Sequence, residues 1–310
     1  MSSPSAAAVG ARAKAREWHG YLRNHRNRAG DDADVRGYLA DVEEYDRLLR
    51  EHGGRELRGA DVLEIGFGTR AARMAILSAA GARAVGVDVE VPLLRPDPAT
   101  LAAIARANGV ERLAKSVARY ALFDRAAKRR LRAAVAARYP GAAPSYGRLE
   151  VCDAADLSLP AGSLDLVVSE DVFEHIAPAS IERTLAGMRR WLRPRGIALV
   201  RPNAFPGISG GHLAEWSVPS VLADPLAPRR SEPWEHLRGR RLRPNTYLNE
   251  LTLAEYRRAF AAAGFEILAE ASRYPELGAE LMTPGLRAEL AGWGDDELFS
   301  NQVLFVLRGR

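Results

Sequence analysis

Val62-Leu-Glu-Ile-Gly-Phe-Gly-Thr-Arg70 is the stretch of sequence that decides the fold. An apolar strand runs into two glycines, and a helical segment follows them. Gly66 permits a tight turn, and Gly68 lets the backbone approach a ligand because it carries no Cβ atom. Asp88 closes the next predicted strand, where a carboxylate can accept both hydroxyls of a ribose. The segment therefore predicts a nucleotide-binding edge of an α/β sheet.

Short apolar runs alternate with helical patterns along most of the chain, which is typical of an α/β fold. We predict seven strands, at residues 61–65, 84–87, 148–151, 164–169, 197–200, 265–269 and 302–307. Right-handed crossovers between the first five give a parallel sheet with helices on both faces. The predicted architecture is a Rossmann-like, seven-stranded, mostly parallel sheet with an antiparallel last strand and helical lid insertions.

Two connections are much longer than the ~2–6 residues usual in α/β loops. They lie at about 91–147 and 202–251, and both follow the carboxyl ends of strands, where ligands bind in open sheets. We interpret both as substrate lids, the first with a basic helical segment at 111–139 and the second as a long loop. Residues 1–54 are predicted to form a leader and a cap helix, and residues 55–310 the main domain.

The composition of the 310-residue chain excludes several classes of protein. The single cysteine, Cys152, leaves no disulfide framework, no thiolate zinc cluster and no three-cysteine iron–sulfur site. No apolar run approaches the ~18–20 residues of a membrane-spanning helix, and the N-terminal segment lacks the continuous apolar stretch of a secretory signal. We therefore predict a cytoplasmic protein with a flexible leader and no membrane span.

The net charge of +5 is unevenly distributed along the chain. Residues 111–140 carry nine basic side chains against two acidic ones, and further basic segments lie at 11–30 and 225–245. Such a segment is either a solvated helix face or a surface that attracts an anionic acceptor or RNA. Interleaved aromatic side chains would favour RNA, but few are present, so a nucleic-acid partner is disfavoured.

The glycine turn also fits a dinucleotide fingerprint with Ala71 as its third small residue, so a NAD-dependent oxidoreductase has to be considered. Glu64 argues against that class, because a carboxylate there would repel a pyrophosphate but would suit the ammonium of a bound amino acid. The turn resembles motif I of class I S-adenosylmethionine-dependent methyltransferases, in particular the methyltransferase type 11-like group. The resemblance continues at residues 86–88, 149–154, 157–176, 188–196 and 263–267.

The resemblance implies that S-adenosylmethionine is the cofactor and indicates which residues hold it. It implies that Asp88 holds the ribose and that Asp153 and the amide of Ala154 read the adenine edge. The complete set of implied cofactor-binding residues is Glu64, Gly66, Gly68, Arg70, Asp88, Asp153, Ala154, Ser169 and Glu170. Arg70 stands in place of the family's third glycine, and it is either a surface arginine or a partner of the methionyl carboxylate.

Two classes of methyl acceptor are disfavoured by missing residues. After the fourth strand the chain reads Ser169-Glu-Asp-Val172, without the Asn/Asp-Pro-Pro-Tyr sequence that clamps planar amines in the family. Methylation of a cytosine carbon needs a cysteine nucleophile, and Cys152 lies at the adenine end of the third strand. A hydroxyl acceptor benefits from a base, whose contribution to the rate is roughly 10²–10⁴.

Two histidines are candidate catalytic residues. His212 follows two glycines in the second insertion and is the best-placed base, with a loop-capping role as the alternative. His175 is the second candidate, with a structural or cofactor-adjacent role as its alternative. His236, beside Trp234, either stacks with its neighbour on a ring of the substrate or belongs to a solvated loop, and we favour the loop.

Carboxylates near the two candidate histidines raise the question of a metal site. Asp171, Glu174, His175 and His212 could supply ligands for a metal ion. No recognisable ligand spacing marks these four residues, so no metal is predicted.

Together these features predict S-adenosylmethionine-dependent methyl transfer to a hydroxyl of a small-molecule, sugar or glycan acceptor, with an anionic acceptor as one option. The main alternative is an RNA or protein methyltransferase that docks through the basic helix at 111–139. A regulatory protein that binds the cofactor without chemistry is another alternative, and a NAD-dependent oxidoreductase is the least favoured.

Overall fold

The computed structural model describes residues 33–239 and 246–310, so the leader predicted before them lies outside the described residues. One seven-stranded sheet forms the centre, with strand order β3-β2-β1-β4-β5-β7-β6. The strands are β1 (Asp61–Ile65), β2 (Arg83–Asp88), β3 (Arg148–Val151), β4 (Leu164–Glu170), β5 (Leu192–Arg201), β6 (Phe265–Ser272) and β7 (Val303–Gly309). β1 to β5 pair in parallel, and β7 runs antiparallel to β5 and β6. The predicted sheet is confirmed.

Nine α-helices surround the sheet within the described ranges. They are α1 (Ala33–Leu48), α2 (Ala72–Ala79), α3 (Pro98–Arg119), α4 (Arg125–Arg138), α5 (Pro178–Trp191), α6 (Val218–Ala223), α7 (Leu253–Ala262), α8 (Pro284–Glu289) and α9 (Asp295–Leu298). α7 begins with a capping box, in which the Thr252 hydroxyl accepts from the Glu255 amide and the Glu255 carboxylate accepts from the Thr252 amide. The Thr-x-x-Glu spacing is the sequence signature of such a helix start.

Both faces of the sheet are buried, which is why its central strands read as apolar runs. Successive residues of a strand point to opposite faces. Val62 and Leu166 belong to a hydrophobic cluster with α1, α2 and α4. Their neighbours Leu63 and Val167 belong to a second cluster with α5 and α7. The prediction of helices on both faces is therefore confirmed.

α1 is fastened to the carboxyl edge of the sheet by buried charged groups. The Tyr45 hydroxyl donates to Glu170 Oε1 at 2.8 Å. Arg201, at the end of β5, donates to both oxygens of Glu170 at 3.0 and 2.9 Å and to Glu44 at 2.5 Å. We call the whole set the α1 charge network: Asp41, Glu44, Tyr45, Arg73, Glu170, Arg201 and Arg273.

The first insertion is helical, as predicted. α3 is interrupted at Gly109, whose φ of 83° is outside the helical range. A π-helical turn, Tyr120–Asp124, then joins α3 to α4. Leu131 and Val135 of α4 are buried against the sheet's first cluster, so the insertion is packed onto the domain rather than projecting from it.

The second insertion was predicted as a loop, and the structure corrects this. It contains α6 and packs against residues 273–302, a further insertion between β6 and β7 that carries α8 and α9. The two segments share a third hydrophobic cluster, whose buried members are Ile208, Trp216, Val218, Val221, Trp234, Leu277, Leu286, Leu290 and Leu298. We call this unit the satellite. Its helices are too short for their apolar spacing to show a period.

Candidate active site

The predicted glycine turn connects β1 to α2. Gly66 has a φ of 80°, and an added Cβ would lie 2.1 Å from Cγ2 of Val172, so this position requires glycine. Gly68 has a φ of 65°, and an added Cβ would meet no protein atom within 4 Å. Its amide donates to Asp88 Oδ2 at 2.8 Å, which ties the turn to the end of β2. Gly68 therefore faces open space.

That open space is a cavity of about 640 Å³ at the carboxyl edge of the sheet. Eight of the predicted site residues line it: Gly66, Gly68, Arg70, Asp88, Asp153, Ala154, Glu170 and His175. Three predicted residues, Glu64, Ser169 and His212, are absent from the lining. The structure thus brings most of the predicted cofactor site together around one cavity.

The two aspartates that end β2 and follow β3 are held by backbone amides. Asp88 accepts from the amides of Gly68 and Glu90, at 2.8 and 2.9 Å. Burial raises its pKa above the ordinary value, although these hydrogen bonds lower it in part. Asp153 accepts from the Ala155 amide at 2.9 Å and from the Ser180 hydroxyl at 3.2 Å. Both carboxylates are therefore fixed in orientation at the cavity wall.

Glu64 directly precedes the cavity-lining residues Ile65 and Gly66, with 1% of its surface exposed. Its Oε2 atom has no hydrogen-bond partner among the described residues, and its Oε1 atom is 3.8 Å from Nη1 of Arg73. Burial raises the pKa of Glu64 to about 8, although Arg73 opposes the rise. A buried carboxyl with an unused oxygen next to the glycine turn is suited to an incoming cation.

Ser169 and Glu170 both form hydrogen bonds within the protein. Ser169 is buried outside the cavity lining, and its hydroxyl donates to the carbonyl of Ile65 at 3.2 Å. Its place on β4, directly beside β1, explains this contact. Glu170 does line the cavity, but its carboxylate already accepts from Tyr45 and Arg201. Glu170 therefore belongs to the α1 charge network.

Arg70 reaches the first insertion. Its Nε atom donates to Oδ1 of Asp124 at 2.7 Å, and Arg119 shares the same carboxylate. The Nη2 atom of Arg70 is buried and finds no hydrogen-bond partner within residues 33–239 and 246–310. The side chain is therefore not a simple surface arginine: it lines the cavity, is oriented by Asp124 and keeps one donor unused.

α1 supplies cavity residues that the sequence analysis did not identify. Asp34 and Tyr38 both line the cavity, and the Tyr38 ring lies 5.0 Å from the guanidinium carbon of Arg73. Thr246, from the second insertion, lines it as well. No local motif marks these residues, because their position depends on the packing of distant segments. The amphipathic pattern of the predicted cap helix was the one sequence feature indicating that this segment packs against the domain.

A cluster of one carboxylate and two imidazoles adjoins the cavity, and we call it the histidine cluster: Glu174, His175 and His212. The two rings meet edge to face with 4.8 Å between centroids. His212 Nε2 lies 3.8 Å from Glu174 Oε1. Asp171, the fourth residue considered as a metal ligand, is elsewhere engaged, since Gln302 donates to its carboxylate oxygens at 2.8 and 2.9 Å.

Burial shifts the pKa values of two members of the histidine cluster, Glu174 and His212. Burial, with the nearby Asp171 in support, raises the pKa of Glu174 well above the ordinary value. Burial and the two neighbouring histidines lower the pKa of His212 to about 4. Neutral imidazole is therefore the form of His212 at neutral pH.

The Trp234–His236 pair is not solvated, contrary to the favoured interpretation. Trp234 is 0% exposed and belongs to the core of the satellite. His236 Nε2 lies 2.9 Å from the carbonyl oxygen of Phe205, to which it donates. A Cβ added at Gly211 would lie 2.6 Å from Cγ of His236, so this ring fixes the loop that carries His212.

A family model described as a methyltransferase domain matches residues 35–270, most of the chain. The chain belongs to this family, as a class I S-adenosylmethionine-dependent methyltransferase, and S-adenosylmethionine is its cofactor. The unused acceptor of Glu64 and the open approach at Gly68 fit the cofactor's amino-acid part. The alternative of a NAD-dependent oxidoreductase is wrong.

Similar solved structures include three methyltransferases. The 1,6-didemethyltoxoflavin-N1-methyltransferase of Burkholderia thailandensis is 15% identical, with a TM-score of 0.45 over 100% of this chain and 93% of its own. Magnesium protoporphyrin IX methyltransferase of Synechocystis PCC 6803 is 15% identical, with a TM-score of 0.45 over 93% and 94%. An S-adenosylmethionine-dependent methyltransferase of Mesorhizobium loti is 16% identical, with a TM-score of 0.43 over 85% and 96%.

No curated protein sequence matches the chain. Among the helices of the described ranges, none has both the length and the apolar character that crossing a membrane would require.

Proposed function

We propose that this methyltransferase acts on a hydroxyl group of a small-molecule, sugar or glycan acceptor, in the cytoplasm. One observation carries the proposal: His175 lines the cofactor cavity, and its ring packs against His212. A hydroxyl is a poor nucleophile until its proton is removed, whereas a neutral amine already has a free lone pair. Imidazoles beside the cavity are therefore of most use to a hydroxyl acceptor.

Each of the proposed cofactor-binding residues holds a different part of the cofactor. When bound, S-adenosylmethionine supplies a methyl group on a positively charged sulfur. Glu64 pairs with its ammonium through the unused Oε2 atom, and the free Nη2 atom of Arg70 donates to its carboxylate. Asp88 binds the ribose, and Asp153 with the amide of Ala154 binds the adenine. Holding both reactants in line supplies much of the acceleration in such a transfer.

His212 accepts the acceptor's proton in this proposal. Its imidazole is neutral at neutral pH, and its Nε2 atom points towards the buried carboxyl of Glu174 at 3.8 Å. His175, which lines the cavity and contacts the His212 ring, positions the acceptor. The satellite, which carries His212, shapes the mouth through which the acceptor enters.

The basic helices offer limited support for docking to RNA. Three of their arginines pair with acidic groups of the same chain: Arg112 with Glu90, Arg119 with Asp124, and Arg138 with Glu43. Arg125, Arg129 and Arg132 of α4 are exposed and leave a small positive surface. Such a surface suits a single anionic group on a small acceptor better than a polynucleotide, which needs many phosphate contacts.

The test is methyl transfer from radiolabelled S-adenosylmethionine to a panel of hydroxylated sugars, nucleotide sugars and phenols, with amines and RNA as competing acceptors. We expect label on a hydroxyl oxygen, located by mass spectrometry. His212→Ala should lower kcat by about 10²–10⁴, the usual contribution of a general base. Binding of S-adenosylhomocysteine, measured by calorimetry, should be unchanged in this variant.

His52→Gln is the control, because it changes a histidine that belongs neither to the histidine cluster nor to the cavity lining. This variant should retain its turnover. Label found only on nitrogen or carbon would overturn the proposed acceptor class. Full turnover in His212→Ala would overturn the proposed role of His212.

A further inference from the structure

The histidine cluster draws its side chains from two separate parts of the chain. Glu174 and His175 lie in a short 3₁₀ turn, Phe173–His175, that follows β4. His212 comes from the second insertion, beyond β5. Each residue offers one potential ligand atom, and the three atoms lie within 4.8 Å of one another. It is therefore the fold, not proximity in sequence, that brings His212 to Glu174 and His175.

Glu174 is the group that most needs a partner. It is 3% exposed, and neither carboxylate oxygen accepts a hydrogen bond of normal geometry from the described residues. A buried carboxylate without such bonds is costly, because the protein does not replace its lost hydration. Among the described residues no arginine or lysine pairs with it, and the potential cationic neighbour is His212, at 3.8 Å.

The hydrogen bonding of His175 prepares it as a ligand. Its Nδ1 atom lies 2.9 Å from the carbonyl oxygen of Tyr247. A carbonyl can only accept, so Nδ1 carries the proton and Nε2 keeps a free lone pair. Metal-binding histidines are commonly oriented in this way, with one ring nitrogen bound to a carbonyl and the other to the ion.

His212 is held in place by a strained loop. Its φ is 51°, a left-handed conformation that is unfavourable for histidine, and its amide donates to the Ser209 carbonyl at 3.1 Å. Asn203 braces the loop from within, because its amide donates to the same carbonyl and its oxygen accepts from the Ser209 hydroxyl. The Asn203 amide is also 3.4 Å from His212 Nε2, a long contact that a stronger ligand bond would replace.

We propose that Glu174, His175 and His212 bind a divalent transition-metal cation, in the range from Mn²⁺ to Zn²⁺. Two imidazole nitrogens and one carboxylate form a mixed ligand set that suits these ions better than Mg²⁺ or Ca²⁺, which prefer oxygen ligands. Three protein ligands leave further coordination positions open. Because His175 lines the cofactor cavity, an open position is accessible from it.

The role of the cation rests on the proposed hydroxyl methylation, whereas its binding does not. A divalent ion lowers the pKa of an oxygen ligand, so it can activate an acceptor hydroxyl. The hydroxyl proton leaves to solvent, the oxygen forms the new bond to the methyl carbon, and the sulfur keeps the electron pair of the broken bond. In this arrangement His212 is a metal ligand, and the ion, rather than His212, activates the acceptor hydroxyl.

Metal binding can be measured without knowing the acceptor. Full-length, untagged protein is freed of metal by chelation, and Mn²⁺ is titrated in while electron paramagnetic resonance reports the free ion. We expect one Mn²⁺ per chain, and we expect Co²⁺ bound in competition to show the visible absorption of a nitrogen-ligated site. Glu174→Gln and His212→Ala should each weaken Mn²⁺ binding at least about tenfold, the smallest loss seen for outer-shell groups.

His52→Gln serves again as the control, and S-adenosylhomocysteine binding confirms that each variant is folded. A folded chain that binds no Mn²⁺, Co²⁺ or Zn²⁺ stoichiometrically would overturn the site. Equal Mn²⁺ affinity in Glu174→Gln and His52→Gln would overturn it too. Metal binding without hydroxyl methylation would support the site and overturn the proposed function. Full hydroxyl methylation in the presence of a chelator would support the proposed function and overturn the cation's role in it.

Discussion

Glu64 keeps its proton at neutral pH in the ligand-free protein, because burial raises its pKa to about 8. Pairing with the cofactor's ammonium requires the carboxylate, so binding below this pH must release the proton. We therefore expect the affinity for S-adenosylhomocysteine to rise between about pH 6 and pH 8, by up to about tenfold per pH unit. Calorimetry in buffers of different ionisation enthalpy measures both the affinity and the released proton.

Two comparisons isolate the carboxyl group of Glu64. Glu64→Gln should bind S-adenosylhomocysteine with little pH dependence. Methylthioadenosine, which lacks the ammonium, should bind to either protein with little pH dependence.

The stability of the ligand-free fold gives an independent check. Between pH 4.5 and about 8 the unfolded chain has lost a proton that the folded chain retains, so the free energy of unfolding falls across that window. If the pH dependence of S-adenosylhomocysteine binding were identical in the unmodified protein and in Glu64→Gln, the pairing of Glu64 with the ammonium would be refuted.

Single residues were predictable from sequence where local geometry fixes them. Gly66, Gly68 and Asp88 follow directly from strand ends, and the structure places all three on the cavity. Asp34 and Tyr38 were not predictable, because their position depends on α1. A hydrogen bond from Tyr45 to Glu170, 125 residues away in sequence, helps to hold that helix. No local pattern encodes such a contact.

Among the elements, α1 depends most on buried charge. Arg201 is 2% exposed and supplies both oxygens of Glu170 with donors. Arg201→Met would leave Glu170 buried with only the Tyr45 hydroxyl, and the loss of one partner of a buried pair costs about 3–5 kcal/mol. We expect that reduction in the free energy of unfolding, measured by urea denaturation, and weaker S-adenosylhomocysteine binding as α1 loosens.

Arg47 of the same helix provides the comparison. It forms an exposed pair with Glu51 at 3.0 Å, so Arg47→Met should cost at most about 1 kcal/mol. If Arg201→Met unfolds the chain completely, Glu170→Gln, which retains the hydrogen-bonding shape without the charge, replaces it. Equal losses for Arg47→Met and Arg201→Met would show that the network does not hold α1.

The elements of the sheet were predicted closely, but the satellite was not. Strands such as β1 and β3 have strong apolar runs between turn residues, and the structure gives them the predicted bounds, 61–65 and 148–151. α6, α8 and α9 are between four and six residues long, too short for a helical period to appear. Their stability comes from packing between two insertions, which a linear pattern does not reveal.

For the molecule as a whole, the satellite and the cofactor domain have separate cores. Trp234 is fully buried in the satellite, and truncating such a side chain costs about 3–5 kcal/mol. Trp234→Ala should therefore unfold the satellite first and abolish methyl transfer, because His212 is displaced. S-adenosylhomocysteine binding should persist, since the satellite core lines none of the cofactor cavity.

Trp293, half-buried on the same cluster, is the matched position, and Trp293→Ala should lose less than half as much stability. Differential scanning calorimetry should resolve two transitions in Trp234→Ala. Simultaneous loss of the whole fold and of cofactor binding would show instead that satellite and domain unfold as a single unit.

The α1 charge network also sets an order of events during synthesis. Asp41 leaves the ribosome well before its partner Arg273, which is 232 residues further along the chain. Its contact with Arg73, 32 residues away, can form earlier. The α1 charge network can therefore be complete only after residue 273 has been translated, and until then Asp41 lacks one of its two arginine hydrogen bonds.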